Sequence, residues 1–333
     1  MTTLLELKEK LIRFFGKNEI YIVPVIKFVI ALVAFLMINQ NIGYMEKISN
    51  IPIAVILALV CALLPISGTA LIGSLLILAD MYALSVEVCL VALILFVIIY
   101  FLYFRFAPKN EYSILLTPIC FKLHIPYVMP VGIGLLKEIY SVFSLICGVV
   151  LYFFLDGVKQ NSTALSNTAE ESDSAASKIV VALNQLLGNK EMYLVAGIMI
   201  AATVIVSMIR KMAIENAWAV AIVSGILFET IGLIAGYMLL GISGKIVEIL
   251  IGNVLACLIA FIIQFLFFNL DYSRTERLQF EDDEYYYYVK AVPKAIVSGT
   301  EKKVTRFGGR DKEDVLTKKQ FAQEMDIDEE LLD

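Results

Sequence analysis

Long stretches with almost no charge recur through the chain, at Tyr21 to Asn39, Ile51 to Phe104, Ile139 to Leu155, Tyr193 to Ile209 and Trp218 to Phe268. Several reach the roughly 20 residues that cross a bilayer as a helix. Hydrocarbon offers the backbone no hydrogen-bond partners, so a spanning segment must be a helix or part of a closed barrel. These runs show no alternation of polar and apolar positions, which excludes the barrel. With 59% of its residues hydrophobic, the chain lies outside the range of a soluble domain that must cover its surface with polar groups. The reading is an all-α integral membrane protein of about eight transmembrane helices.

The opening MTTLLELKEKLIRFF is interrupted by Glu6 and Glu9, and no small-residue cleavage site follows the first apolar run, so it does not read as a signal peptide. Leu4, Leu7, Leu11, Phe14 and Phe15 recur at helical spacing between charges, the pattern of an amphipathic helix lying along the interface. A second such pattern has Ile179, Val180, Leu183, Leu186 and Leu187 on one face. Each ends in a glycine followed by a similar string, Gly16-Lys-Asn-Glu-Ile-Tyr-Ile-Val23 and Gly188-Asn-Lys-Glu-Met-Tyr-Leu-Val195, and then an apolar run. The expectation is an internal duplication of a three-helix unit.

The organisation that follows is an interfacial helix at 1–18, a first membrane unit at 19–112 and a central broken-helix insertion at 113–156. A polar loop and second amphipathic helix at 157–188, a second membrane unit at 189–270 and a small α+β tail at 271–333 complete it. Gly157 to Ala176, rich in Ser, Thr and Asn, has no apolar face and is expected in water. Lys8, Lys10, Arg13, Lys17, Arg210, Lys211, Arg274 and Arg277 flank the spans, which places both termini in the cytoplasm of a multi-pass plasma-membrane protein. Arg105 and Lys109 suit that arrangement only if the stretch from Ile51 to Phe104 crosses an odd number of times.

Two stretches are too broken for ordinary spans. One carries Pro65, Ser67 and Gly68, the other Thr117, Pro118, Pro126 and Pro130 with His124 between. Proline removes a helical donor and frees backbone groups that lipid cannot satisfy, and such interruptions point to a substrate path or to a plain kink. Ionisable residues within apolar runs are functional candidates by default. Glu229 is the deepest, and Lys27, Asp80, Glu87 and Glu248 are secondary, Asp80 and Glu87 bracketing a turn and Lys27 snorkelling to the surface. Lys245 accompanies Glu248, and Gly232-x-x-x-Gly236 reads as close helix packing.

No catalytic constellation is present: His124 is the sole histidine, and GxSxG, HExxH and Walker A patterns are missing. The five cysteines stand singly, without the spacing of a disulfide framework or a metal site, and no cofactor is implied. The net charge of −5 gives no footprint for nucleic acid. Tyr285, Tyr286, Tyr287 and Tyr288 follow an acidic run and form an aromatic, β-prone segment suited to packing or to a partner. The string LQFEDDEYYYYVKAVPK after the last apolar run resembles the tail of uncharacterised bacterial multi-pass membrane proteins loosely labelled transporter permeases. That resemblance implies transport and assigns no residue a role.

The expected function is therefore a transporter or permease subunit for a small solute or ion, with the lipid bilayer as its solvent and a separate ATPase subunit if hydrolysis drives it. The alternative is a non-catalytic scaffold of an envelope or secretion assembly, recruiting a partner through the tail. A homo-oligomer is compatible with either.

Overall fold

The structure, a computed structural model, describes residues 2–107, 111–165, 175–212, 214, 216–267, 276–281 and 286–291. Seven stretches among them are long and apolar enough to cross a membrane, against an expectation of about eight. The helices are α1 (Thr2–Lys17), α2 (Glu19–Asn41), α3 (Ile51–Leu63), α4 (Ile66–Leu84), α5 (Val86–Phe106), α6 (Glu111–Lys122) and α7 (Val128–Leu136). There follow α8 (Val142–Gln160), α9 (Ser162–Leu165), α10 (Ala175–Leu187), α11 (Lys190–Arg210), α12 (Ala217–Leu239) and α13 (Ile246–Phe267). Strands β1 (Glu276–Glu281) and β2 (Tyr286–Ala291) pair antiparallel, with Glu276 opposite Ala291 and Glu281 opposite Tyr286. Tyr285, the stretch 166–174 and residues from 292 on lie outside the described residues.

Contacts between helix ends define two faces of the bundle. On the distal face, Asn41 at the end of α2 accepts from Lys159 Nζ at 3.0 Å at the end of α8, and the Met45 N–H donates to Asp80 Oδ1 at 3.0 Å. Also there, the Tyr237 hydroxyl near the end of α12 donates to Glu191 at the start of α11 at 2.7 Å. On the proximal face, Phe106 ending α5 stacks on Phe143 opening α8, with ring centroids 4.4 Å apart. Arg210, the last residue of α11, donates to the carbonyls of Leu135 and Lys137 there. Lys8 of α1 lies 5.6 Å from the ring centroid of Phe265 near the end of α13, so both ends of the helical bundle share the proximal face.

The two broken stretches form two helical hairpins that point in opposite directions. Helix α3 leaves the distal face but has only 13 residues, about 20 Å against a hydrocarbon thickness of roughly 30 Å. It stops at Leu64, whose carbonyl accepts from Lys27 Nζ at 3.1 Å, two turns into α2. Pro65 then opens α4, which returns to the distal face at Asp80. Helix α6 starts proximally and runs alongside α8, with Thr117 against Gly148 and Phe121 stacked on Tyr152. The chain turns through His124 at φ +59° and α7 carries it back to the proximal face at Arg210.

Two expectations change. Lys27 does not snorkel: its ammonium serves the carbonyl that the Pro65 break leaves without a helical partner. Gly157 to Ala176 is not wholly a solvated loop either, because α8 runs to Gln160, burying Gly157 and Val158, and Leu165 is buried as well. Val158 and Leu165 supply the apolar contacts that the polar composition around them concealed.

Small residues set the helix spacing. Ala31, Ala54, Ala58 and Cys61 are buried between α2 and α3, and Gly232 and Gly236 of α12 admit Ile198 and Leu194 of α11. In a membrane such close approach replaces the hydrophobic drive that water would supply. The large apolar residues that remain exposed, including Ile231 and Leu239 of α12 and Val254 and Leu258 of α13, form the surface suited to lipid. Leu7, Leu11 and Phe14 of α1 are exposed in the same way. The two halves differ in build: α2 runs toward the distal face and α11 away from it, and α3 with α4 stands where the second half has α12 alone.

Candidate functional site

The turn joining α6 to α7 ends in a polar cleft of about 270 Å³ at the distal face. Ile125 and Pro126 cannot continue α6 as a helix, since the residue before a proline is driven to extended backbone. The turn exposes His124, whose Nδ1 lies 2.6 Å from Glu248 Oε1 in the first turn of α13. Asn189 caps α11 by accepting from the Met192 N–H at 3.1 Å, which sets the neighbouring Glu191 in the cleft wall. Glu191 accepts from the Tyr237 hydroxyl at 2.7 Å and pairs with Lys245. Asp156 of α8 completes a wall with three carboxylates and one lysine.

Beneath this mouth lies Glu229. Glu229, Leu233 and Tyr237 follow one another at single-turn spacing on α12, all three are buried, and the last two line the cleft. Glu229 is completely buried, and neither carboxylate oxygen has a hydrogen-bond partner among the described residues. Tyr127, just before α7, lines the cleft together with Glu191 and Glu248. Its ring packs on Gly252 of α13, where a Cβ would run into it. A buried ionised carboxylate without a partner is among the most costly groups a protein can hold. The cleft is thus acidic, and the buried Glu229 lies one turn of α12 below Leu233 in its wall.

The sequence-derived candidates divide between two places. His124, Pro126 and Glu248 line the polar cleft, with Glu229 below it. Pro65, Ser67, Gly68 and Pro118 instead line a second, apolar cavity between α2, α4, α5 and α6. Thr117 and Pro130 line neither: the Thr117 hydroxyl donates to the Ser113 carbonyl at 2.6 Å against Gly148, and Pro130 is buried within α7. Asp80 holds the loop after α2, and Glu87, in the first turn of α5, accepts from the Ser85 hydroxyl. Glu191, Tyr127, Tyr237 and Asp156 join the site only through the fold. The available signals were the Glu229-to-Tyr237 spacing and Glu191 within the repeated G-x-x-E-x-Y-x-V string.

At the other end of α7, Glu138 pairs with Lys211 at 2.5 Å. The hydrogen bond and charge of Lys211, with Arg210 nearby, hold the Glu138 carboxyl below the usual carboxylate range. Compared with protein-family models, with curated proteins and with solved structures, the chain matches none.

Proposed function

We propose that this protein is a membrane permease subunit in which Glu229 is the proton- or cation-binding group on the path of a small solute or ion. The observation that carries the reading is Glu229 itself, fully buried and without a hydrogen-bond partner among the described residues, below a cleft lined by Glu191, Glu248, Asp156 and His124. A neutral, protonated Glu229 is tolerable in that setting, and its anion calls for a compensating cation. Binding and release at that point is the elementary step of coupled transport. The α6–α7 break supports the same reading, because its turn carries His124 and Pro126 into the wall of the acidic cleft.

The test uses purified protein in liposomes on a solid-supported membrane, challenged with pH jumps and with Na⁺ and K⁺ jumps. Wild type is expected to displace charge in at least one of these, Glu229→Asp to retain the signal, and Glu229→Gln to lose it while remaining monodisperse and helical. An equal signal from Glu229→Gln, or none from wild type, overturns the assignment.

A second reading, a partner-recruiting scaffold, is favoured by the β1–β2 hairpin, a two-stranded sheet whose outer edges carry no further strand among the described residues. Such edges accept an added strand. Removing Asp271 to Asp333 should then cost a co-purifying protein, and an intact chain that recovers none counts against it.

A further inference from the structure

The second cavity, of about 600 Å³, is within the roughly 300–1,000 Å³ of ligand sites. Its wall is built by Phe35 of α2, Gly73 and Ile77 of α4, Phe96 and Tyr100 of α5 and Ile119 of α6. Both proline breaks reach it, at Pro65 and at Pro118. A path for a polar solute needs polar groups free to replace water, and this wall lacks them at its centre. The Ser74 hydroxyl donates to the Leu71 carbonyl at 2.7 Å and shares a 3.1 Å hydrogen bond with the Tyr100 hydroxyl, so the two are already satisfied. A polar molecule placed there would leave its hydrogen bonds in water and recover few.

The cavity also has a lateral outlet. Pro65, Leu71 and Phe104 are the exposed members of its wall, and Leu71 and Phe104 continue outward into Leu75 and Phe101, exposed apolar residues of the same two helices. These residues face the surface that the bundle offers to lipid. A void open to hydrocarbon and lined by hydrocarbon gains dispersion contacts when a chain fills it, and nothing polar must be stripped of water for that to happen.

We propose that this cavity is a binding site for one acyl chain of a bilayer phospholipid, which enters past Leu71 and Phe104 and lies against Gly73. Gly73 is the pivot because it keeps the floor open: a Cβ there would meet Phe35 and Ile38 only at 3.8 and 3.9 Å, so a side chain fits and would occupy the space now free. The site is distinct from the acidic cleft and does not depend on Glu229 carrying a cation.

The experiment reconstitutes the full chain into liposomes of phosphatidylethanolamine and phosphatidylglycerol containing a trace of phosphatidylcholine with a diazirine at the end of one acyl chain. After irradiation, adducts are mapped by mass spectrometry. Wild type is expected to carry adducts on the interior residues Ser74, Ile77 and Tyr100 as well as on the outward residues Leu93 and Val97. Gly73→Leu should lose the interior adducts and keep the outward ones. Interior residues left unlabelled in wild type, or labelled equally in Gly73→Leu, overturn the proposal. A second measurement places Gly73→Cys in a background whose five native cysteines are alanine. Modification by an apolar maleimide with protection from a charged methanethiosulfonate is expected; rapid modification by the charged reagent would show a water-filled path and refute the lipid site.

Discussion

Glu229 was visible in the sequence because it is the deepest of the carboxylates inside the long apolar runs. Its surroundings were not visible. The contact of His124 with Glu248 joins residues 124 positions apart, and no periodicity within either helix encodes it. Tyr127 is placed by a similar long-range fit, its ring resting on the bare backbone of Gly252. Substituting Gly252→Leu should therefore displace Tyr127 and destabilise the protein by about 1–3 kcal/mol, the usual cost of overpacking. Thermal unfolding in detergent measures it. Gly197→Ala is the control, since a Cβ at Gly197 meets nothing within 4 Å and the midpoint should not fall.

Among the elements, the hairpins α3–α4 and α6–α7 are the informative ones. Pro65, Pro118, Pro126 and Pro130 announced that these stretches were broken, because proline removes a helical donor in any context. Whether a break becomes a kink in a spanning helix or the tip of a hairpin depends on what meets the freed backbone groups. At the first tip it is Lys27, from a different helix, donating to the Leu64 carbonyl. Lys27→Met should leave that carbonyl unsatisfied at a cost of about 1–3 kcal/mol. Hydrogen exchange should rise at residues 61–68 and remain unchanged in α8 if the hairpin tip alone loosens; unchanged exchange at the tip would show that the contact holds nothing. At the proximal end of α7, the Glu138 pairing with Lys211 acts in the reverse sense to a raised base. Because its folded carboxyl is held down, its contribution is present above the ordinary carboxylate range and fades as the pH falls through the lowered value.

For the molecule as a whole, the proximal face gathers Lys10, Arg13, Lys17, Arg105, Lys137, Arg210 and Lys211, while the distal cleft is rich in carboxylates. From the bias of basic residues toward the cytoplasm, we propose that the proximal face is the cytoplasmic one. Phosphatase fusions test it: a fusion after Asn161 should be active, and fusions after Phe106 and Arg210 inactive. The opposite pattern reverses the orientation. Arg105, which fitted the inside only if the preceding stretch crossed an odd number of times, reaches the proximal face because α3 and α4 leave and return on the distal one before α5 descends. Apolar run length and charge near run ends were enough to establish a helical membrane protein, since each span satisfies its own backbone within its own segment. The two opposed hairpins, the acidic cleft above Glu229 and the greasy cavity at Gly73 came only from the tertiary structure, because each is made by side chains from several helices whose packing no local pattern specifies.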